Sequence, residues 1–512
     1  MRLEDVPSET LDKNAVLTMN PHNSNTPQES LDPEDWEKTR ALGRQMVDDM
    51  IEYIKTVRER PAWRTVPPES RAAISGETPR QGSALEDVYA TFRDHILPYP
   101  TGNLHPGFMG WVMGNGTVTA MLADMLASGM NPHLAGYDQS ASLVEKQVIA
   151  WLADLVEFPQ DASGLLVSGG TMANINGLTA ARIKKAGFDL REDGLQAPGA
   201  PRLRVYGGQE THSWIYKACE LMGMGRSAFR AIAVNEAYQI DVDACRRQIE
   251  ADIAAGDRPF CIIGTVGTVN TGAVDDIAGL RALADEFDLW LHIDGAFGSL
   301  AAWNDETKPI VAAQSSADSI AFDLHKWAYL PYDVGCVLTR DAAAQEQAFG
   351  TKASYLAPMQ RGLAVDNTYF ADRGVQLSRS FRALKVWMSL KEQGSEKIGR
   401  IIKRNVAQAR YLAEIVEAAP DLEVLAPVAL NIACFRFHRD GLDETRLNAV
   451  NMEILLRIQE SGVAAPSQTI LGGKFAIRAC ITNFRTRNDD LDHLVNETRR
   501  HGTEILAEMG VA

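Results

Sequence analysis

The chain has 512 residues, 45% of them hydrophobic and 23% charged, with a formal net charge of -16. Such a length calls for more than one core, the composition is that of a globular protein, and the acidic surface argues against nucleic acid as a partner. No apolar stretch is long enough to span a bilayer, the start Met-Arg-Leu-Glu-Asp lacks the apolar run of a secretory signal, and the six cysteines form no C-x-x-C pair, so reduced core thiols in the cytoplasm are expected and no metal site.

Residues 1–33 are rich in Asn, Pro, Ser, Thr and acids, show no period and read as a flexible tail. From Asp35, the residues Leu42, Met46, Val47, Met50, Ile51 and Ile54 recur at helical spacing, an apolar stripe that packs on the chain's own core or on a second subunit. Residues 60–83 hold several Pro, Gly and Ser and read as a connector. Helical patterns at 121–126 and 143–155 follow. Short apolar runs then recur at 164–167, 203–206, 231–234, 260–263, 289–293 and 335–338, most of them separated by helical patterns. That alternation predicts an α/β layered domain with a mainly parallel sheet, whose ligands bind at the carboxyl ends of the strands. Residues 349–376 lack a period and carry several aromatics, which fits a functional lid. A helix is expected from Arg379 to about Gln393, and two strand-like runs at 431–437 and 475–481 predict a smaller α+β domain. The resulting division is 1–33 tail, 34–117 helical segment, 118–384 large domain and 385–512 small domain.

Chemistry-bearing residues fall at the ends of these runs. Ser168-Gly169-Gly170-Thr171 follows a strand and opens a helix, so its backbone N–H groups and dipole suit an anion, with Thr171 able to cap the helix or donate to a phosphate oxygen. The imidazole of His212, in the loop after the 203–206 run, has the flat shape to stack on a ring and move a proton. Gly264-Thr265-Val266-Gly267-Thr268 offers small residues at another strand end. Asp294 closes the hydrophobic run at 289–293, and a carboxylate there needs a cationic partner. Lys326, beside His325, lies between Ile320-Ala321-Phe322 and Trp327-Ala328-Tyr329-Leu330, and a lysine with buried flanks serves as a nucleophilic amine. Each signal alone has a bland reading: a turn, a loop histidine, a local ion pair, a surface charge. Their order, anion turn, flat ring, carboxylate and lysine along one α/β domain, points to a pyridoxal 5'-phosphate site, in which the lysine holds the aldehyde and the carboxylate keeps the pyridine nitrogen protonated.

With these residues the chain resembles the group II pyridoxal-phosphate-dependent amino acid decarboxylases, from about Asp35 to Glu508. The resemblance rests on His292-Ile293-Asp294-Gly295-Ala296, on Ala317-Asp318-Ser319 through His325-Lys326-Trp327, and on Leu377-Ser378-Arg379-Ser380-Phe381-Arg382 with the helix beyond. It implies fold type I, with a large, mainly parallel seven-stranded sheet covered by helices on both faces and a smaller α+β C-terminal domain, and it implies a homodimer with sites at the subunit interface. It further implies that Lys326 carries the cofactor, Asp294 pairs with the pyridinium, His212 stacks on the ring, Gly170, Thr171, Ser319 and His325 surround the phosphate, and Thr268 and Ala296 pack near the ring. Phe108 and Trp111 align with the side-chain pocket and favour a flat or apolar substrate; Ser378 narrows it. Counting back from the Leu377-Ser378-Arg379 match places the lid's proton donor on Phe370 or, with a short gap, on Tyr369. Two departures matter. Asp323-Leu324 stands where members acting on aromatic amino acids have Asn-Pro, an order nearer the sphingosine-phosphate lyases, and Ser378 argues against catechol-sized substrates. Decarboxylation of an L-amino acid, aromatic by preference, to the amine is the expected activity. Oxidative deamination to an aldehyde, carbon–carbon cleavage and a non-catalytic scaffold are the alternatives.

Overall fold

The computed structural model describes residues 29–351, 359–365 and 369–510. The chain divides into two compact units, Met1–Met50 and Ile51–Ala512. In the first unit the described residues enter the helix Trp36–Lys55. Asp35 caps it, its Oδ1 accepting from the Lys38 N–H at 2.9 Å.

The second unit is built on two sheets. The larger runs through β2 (Ser163–Val167), β3 (Leu203–Gly208), β4 (Phe229–Ile232), β5 (Arg258–Thr265), β6 (Trp290–Asp294), β7 (Ser319–Asp323) and β8 (Gly335–Thr339). Its order is β2-β8-β7-β6-β5-β3-β4. All pairings are parallel except those of β8, which runs against both β2 and β7. The edge strand β2 and the inner strands β3, β6, β7 and β8 are buried along their whole length, which is why they read as apolar runs without alternation. Helices return the chain between them, and several begin at side-chain caps: Asp241 accepts from the Ala244 N–H at 2.8 Å and Asp276 from the Gly279 N–H at 3.0 Å.

The smaller sheet has the order β1-β11-β12-β10-β9, from β1 (Phe108–Met109), β9 (Leu422–Val424), β10 (Ile432–Phe437), β11 (Ala465–Leu471) and β12 (Lys474–Cys480). Its apolar face packs with the helices Ser395–Glu417, Glu444–Ser461 and Asn488–Glu508 into a core of its own.

Several expectations shift. The connector at 60–83 contains a short helix, Pro68–Ile74, begun by a proline at its first position. The run at 231–234 forms a strand two residues earlier, at Phe229–Ile232, and Val234 makes only an isolated bridge to Ile240. The helix expected from Arg379 begins at Ala383. The reason is tertiary: the Arg379 guanidinium is buried, donates to the carbonyls of Leu134 and Leu166, and ion-pairs with buried Glu145, which holds its backbone out of the helix. The helix Ala383–Gln393 contains the 384/385 division and packs on the helices Val118–Met130 and Ser140–Leu155.

Candidate active site

Strands β2, β5, β6 and β7 end at one cavity of about 540 Å³. Its floor starts with the turn after β2. Gly169 and Gly170 open the helix Gly170–Lys185, and side chains there would collide with the far wall: a Cβ on Gly170 would lie 2.8 Å from Asp323 Oδ2, and one on Gly169 3.0 Å from the His325 ring. Glycine is required by this approach, and it leaves a cradle of backbone N–H groups at a helix start.

Asp294, at the end of β6, is 3% exposed. Its Oδ2 accepts from the Trp214 indole N–H at 2.7 Å and its Oδ1 from the Ala296 N–H at 3.2 Å. His212 opens onto the same cavity. Its Nδ1 accepts from the Trp214 backbone N–H at 3.2 Å, which leaves Nε2 to carry the ring proton. Desolvation lowers its pKa, against the opposing pull of Asp294, so it is neutral at pH 7.

Asp323 ends β7, and the short helix Leu324–Trp327 presents His325 and Lys326. Lys326 Nζ lies 3.0 Å from Asp323 Oδ2, with the carboxylate almost wholly buried and the lysine partly open. Asp323 Oδ1 has no hydrogen-bond partner among the described residues. His325 Nδ1 accepts from the Val334 N–H at 3.1 Å, and burial lowers the pKa of its imidazole. The Tyr332 ring packs on it at 4.5 Å between centroids, and burial with the Asp323 charge pushes the phenol up to about 12. Among the described residues no cluster of His, Cys, Asp and Glu could hold a metal ion.

Of the residues singled out from the sequence, Lys326, His212, Asp294, Gly170, Thr171, Ala296, His325 and Trp111 line this cavity. Others sit elsewhere. The Ser319 hydroxyl lies behind the wall, accepting from the Trp290 indole at 2.8 Å and bonded to His292 Nδ1 at 2.7 Å. Thr268 is buried, with its Oγ1 on Thr271 and the Ala273 N–H. Phe108 packs with Ala62 and Ala465. Ser378 is exposed beside His133. Tyr369 packs edge-on to Tyr137 at 6.2 Å and is not among the lining residues. Phe370 is fully buried under the Arg379 guanidinium at 5.3 Å. Of the expected lid, 352–358 and 366–368 lie outside the described residues.

The sequence reading missed Trp214, Asn174, Tyr332 and Arg478, which also line the cavity. Arg478 had a visible signal, a lone cation inside the apolar run of β12; its guanidinium donates to the carbonyls of Trp111 at 2.8 Å and Asn270 at 3.0 Å. Trp214 had none, because an indole on an amphipathic helix reads as core.

The donor set fits pyridoxal phosphate. A glycine cradle at a helix start, a buried carboxylate across the cavity, a flat imidazole and a lysine surround a space of the right size, and the one carboxylate near the cradle, Asp323, is answered by Lys326. Comparison with known proteins agrees. Residues 67–438 match the model of the pyridoxal-dependent decarboxylase conserved domain. The chain is 32% identical to an aromatic-L-amino-acid decarboxylase of Bacillus atrophaeus over 92% of its own length and 96% of the relative's. It is 28% identical to a phenylacetaldehyde synthase of Arabidopsis thaliana, covering 88% of this chain and 93% of that one. The crystal structure of Oryza sativa TDC with PLP and tryptamine superposes with a TM-score of 0.85 at 25% identity, over 93% of this chain and 100% of that chain. Cavity, fold and kinship converge: the chain belongs to the pyridoxal-dependent decarboxylase family and is a fold type I, pyridoxal-phosphate-dependent carboxy-lyase.

Proposed function

We propose that the chain converts an aromatic L-amino acid to its amine and carbon dioxide. The observation that carries this reading is the meeting of Lys326, Asp294 and His212 in one cavity that Trp111, Phe297, Val112 and Val269 also line. Flat apolar walls favour a flat apolar side chain, and the Bacillus atrophaeus relative bears the name of that activity.

Bound pyridoxal phosphate supplies the electron sink that accepts the pair left by the departing carboxylate. The chain supplies the rest. Gly170, Thr171 and His325 hold the phosphate end. Asp294, pinned by Trp214 and Ala296, holds the proton on the ring nitrogen. His212 presents its flat face. Lys326, whose Nζ opens onto the cavity, would hold the cofactor's aldehyde end. The apolar wall excludes water while the carboxylate leaves.

We further infer a homodimer working in the cytoplasm. Among the described residues no helix is long and apolar enough to cross a membrane, and all six cysteines are free and buried.

Incubating the loaded enzyme with each common L-amino acid, and measuring amine, aldehyde, carbon dioxide, ammonia and peroxide together, tests the reading. Amine and carbon dioxide from tyrosine, tryptophan, phenylalanine or dihydroxyphenylalanine support it. Turnover confined to glutamate, diaminobutyrate or histidine overturns the substrate class. Aldehyde with ammonia and peroxide would replace amine formation with the aldehyde route for which the Arabidopsis thaliana relative is named.

A further inference from the structure

Trp214 is 1% exposed and opens the helix Trp214–Leu221. Two of its N–H groups reach into the site. The backbone N–H donates to His212 Nδ1 at 3.2 Å, and the indole N–H donates to Asp294 Oδ2 at 2.7 Å. An indole nitrogen only donates, and at this length, to a carboxylate, the bond is of the strong, charge-assisted kind. The indole stands edge-on to His292 at 6.1 Å between centroids. His292 is fixed in turn by Ser319 and Asn174 at 2.7 and 2.8 Å. It precedes Asp294 by two residues on β6, so both side chains rise from the same face of the sheet.

We propose that Trp214 is a positioning residue that sets the placement of Asp294 and His212 relative to each other, and thereby the protonation of the cofactor ring. His212 comes from the loop after β3 and Asp294 from the end of β6, and this one side chain and its own amide touch both. With Oδ2 tied to the indole and Oδ1 to the Ala296 N–H, the carboxylate plane is fixed about the Cβ–Cγ bond. Without the indole N–H the carboxylate is free to turn on its single remaining tether, and its alignment with a ring nitrogen is no longer enforced. The proposal rests on the reading of Asp294 as the partner of that nitrogen.

Trp214→Phe separates the two arms, because it deletes the indole donor and keeps the backbone N–H on His212. In the holoenzyme, Trp214→Phe is expected to retain stoichiometric cofactor, to lower kcat about tenfold or more with KM within about twofold, and to shift the pH midpoint of the cofactor's visible spectrum by about one unit. Trp214→Gln, which restores an N–H donor, is expected to recover part of the spectral shift. A Trp214→Phe holoenzyme with the wild-type spectral titration overturns the proposal. If Trp214→Phe does not fold, the indole N–H resonances of the wild-type and Asp294→Asn holoenzymes decide: a shift of one downfield indole signal supports the contact, and an unchanged set refutes it. An Asp294→Asn holoenzyme with wild-type spectrum and rate would remove the Asp294 reading itself. A defective Asp294→Asn beside a normal Trp214→Phe would sink this proposal alone.

Discussion

Lys326 and Asp323 hold each other at 3.0 Å with the carboxylate almost wholly buried. Removing one member of such a pair leaves the other charge uncompensated, at a cost of about 3–5 kcal/mol for a fully buried partner. Lys326→Ala is therefore expected to lose both turnover and the visible absorbance of bound cofactor, and to melt at a lower temperature than the wild type in calorimetry. A variant that keeps turnover and absorbance ends the assignment of this lysine. Asp294→Asn keeps the shape and one of the two tethering acceptor oxygens but removes the charge facing the ring. We expect kcat to fall about 10²–10³-fold, the scale of one lost electrostatic contact of about 3–4 kcal/mol, with cofactor still bound by absorbance.

Between elements, polar links buried in the wall stiffen the site. Trp290 donates to Ser319, Ser319 bonds His292 Nδ1, and His292 Nε2 bonds Asn174 Oδ1, joining β6, β7 and the helix Gly170–Lys185. Burial pulls His292 from 6.5 down to about 4. Between those values the unfolded chain binds the proton that the folded chain refuses, so this stabilisation is complete above about pH 6.5 and is lost as the pH falls toward about 4. Asp275, raised by burial to about 6, acts in the opposite sense, so the difference between wild type and His292→Gln isolates the histidine. The gap in melting temperature is expected to narrow on acidification from pH 7 to pH 5, and a constant gap would rule out this linkage. Sequence pattern revealed the strands whose apolar runs are continuous, such as β2, β5 and β6, because both their faces are covered. It did not reveal β7, whose three apolar residues lie between Ser319 and Asp323, nor β11, whose Ala-Pro-Ser-Gln-Thr-Ile-Leu carries a proline and alternates in burial only at its far end. Asp294 and the glycine turn lie at strand ends, and His212 and Lys326 just beyond them, which made their place at one edge of the sheet legible. Ser319, Thr268 and Phe370 carried no mark of the direction they face, and packing decided it. Tyr369 packs on Tyr137, so Tyr369→Phe is expected to leave the ratio of amine to aldehyde unchanged; aldehyde with ammonia and peroxide from the variant would bring this tyrosine into the chemistry.

At the scale of the whole molecule, the helix Val118–Met130 leaves Met125, Leu126 and Met130 each at least 50% exposed. Apolar side chains grouped in this way mark an association surface, in keeping with the proposed homodimer. Sedimentation is expected to give twice the chain mass, and Met125→Glu with Met130→Glu to shift it toward the monomer. An active wild-type monomer at working concentration would exclude the dimer. The reversed strand β8 has a wider consequence. Its first residue, Gly335, pairs with Val167 on one side and Asp323 on the other, and a Cβ there would strike Asp323 Oδ1 at 2.6 Å and Gly169 Cα at 2.7 Å. One strand thus acts as the jaw spacing of a caliper. The turn proposed to receive an anion and the turn that carries the lysine spring from strands two strand widths apart, about 10 Å, a gauge cut in backbone hydrogen bonds and kept by the absence of a side chain at Gly335. Substitutions in the walls around the gap leave that spacing untouched, whereas any side chain at Gly335 presses on both of its jaws.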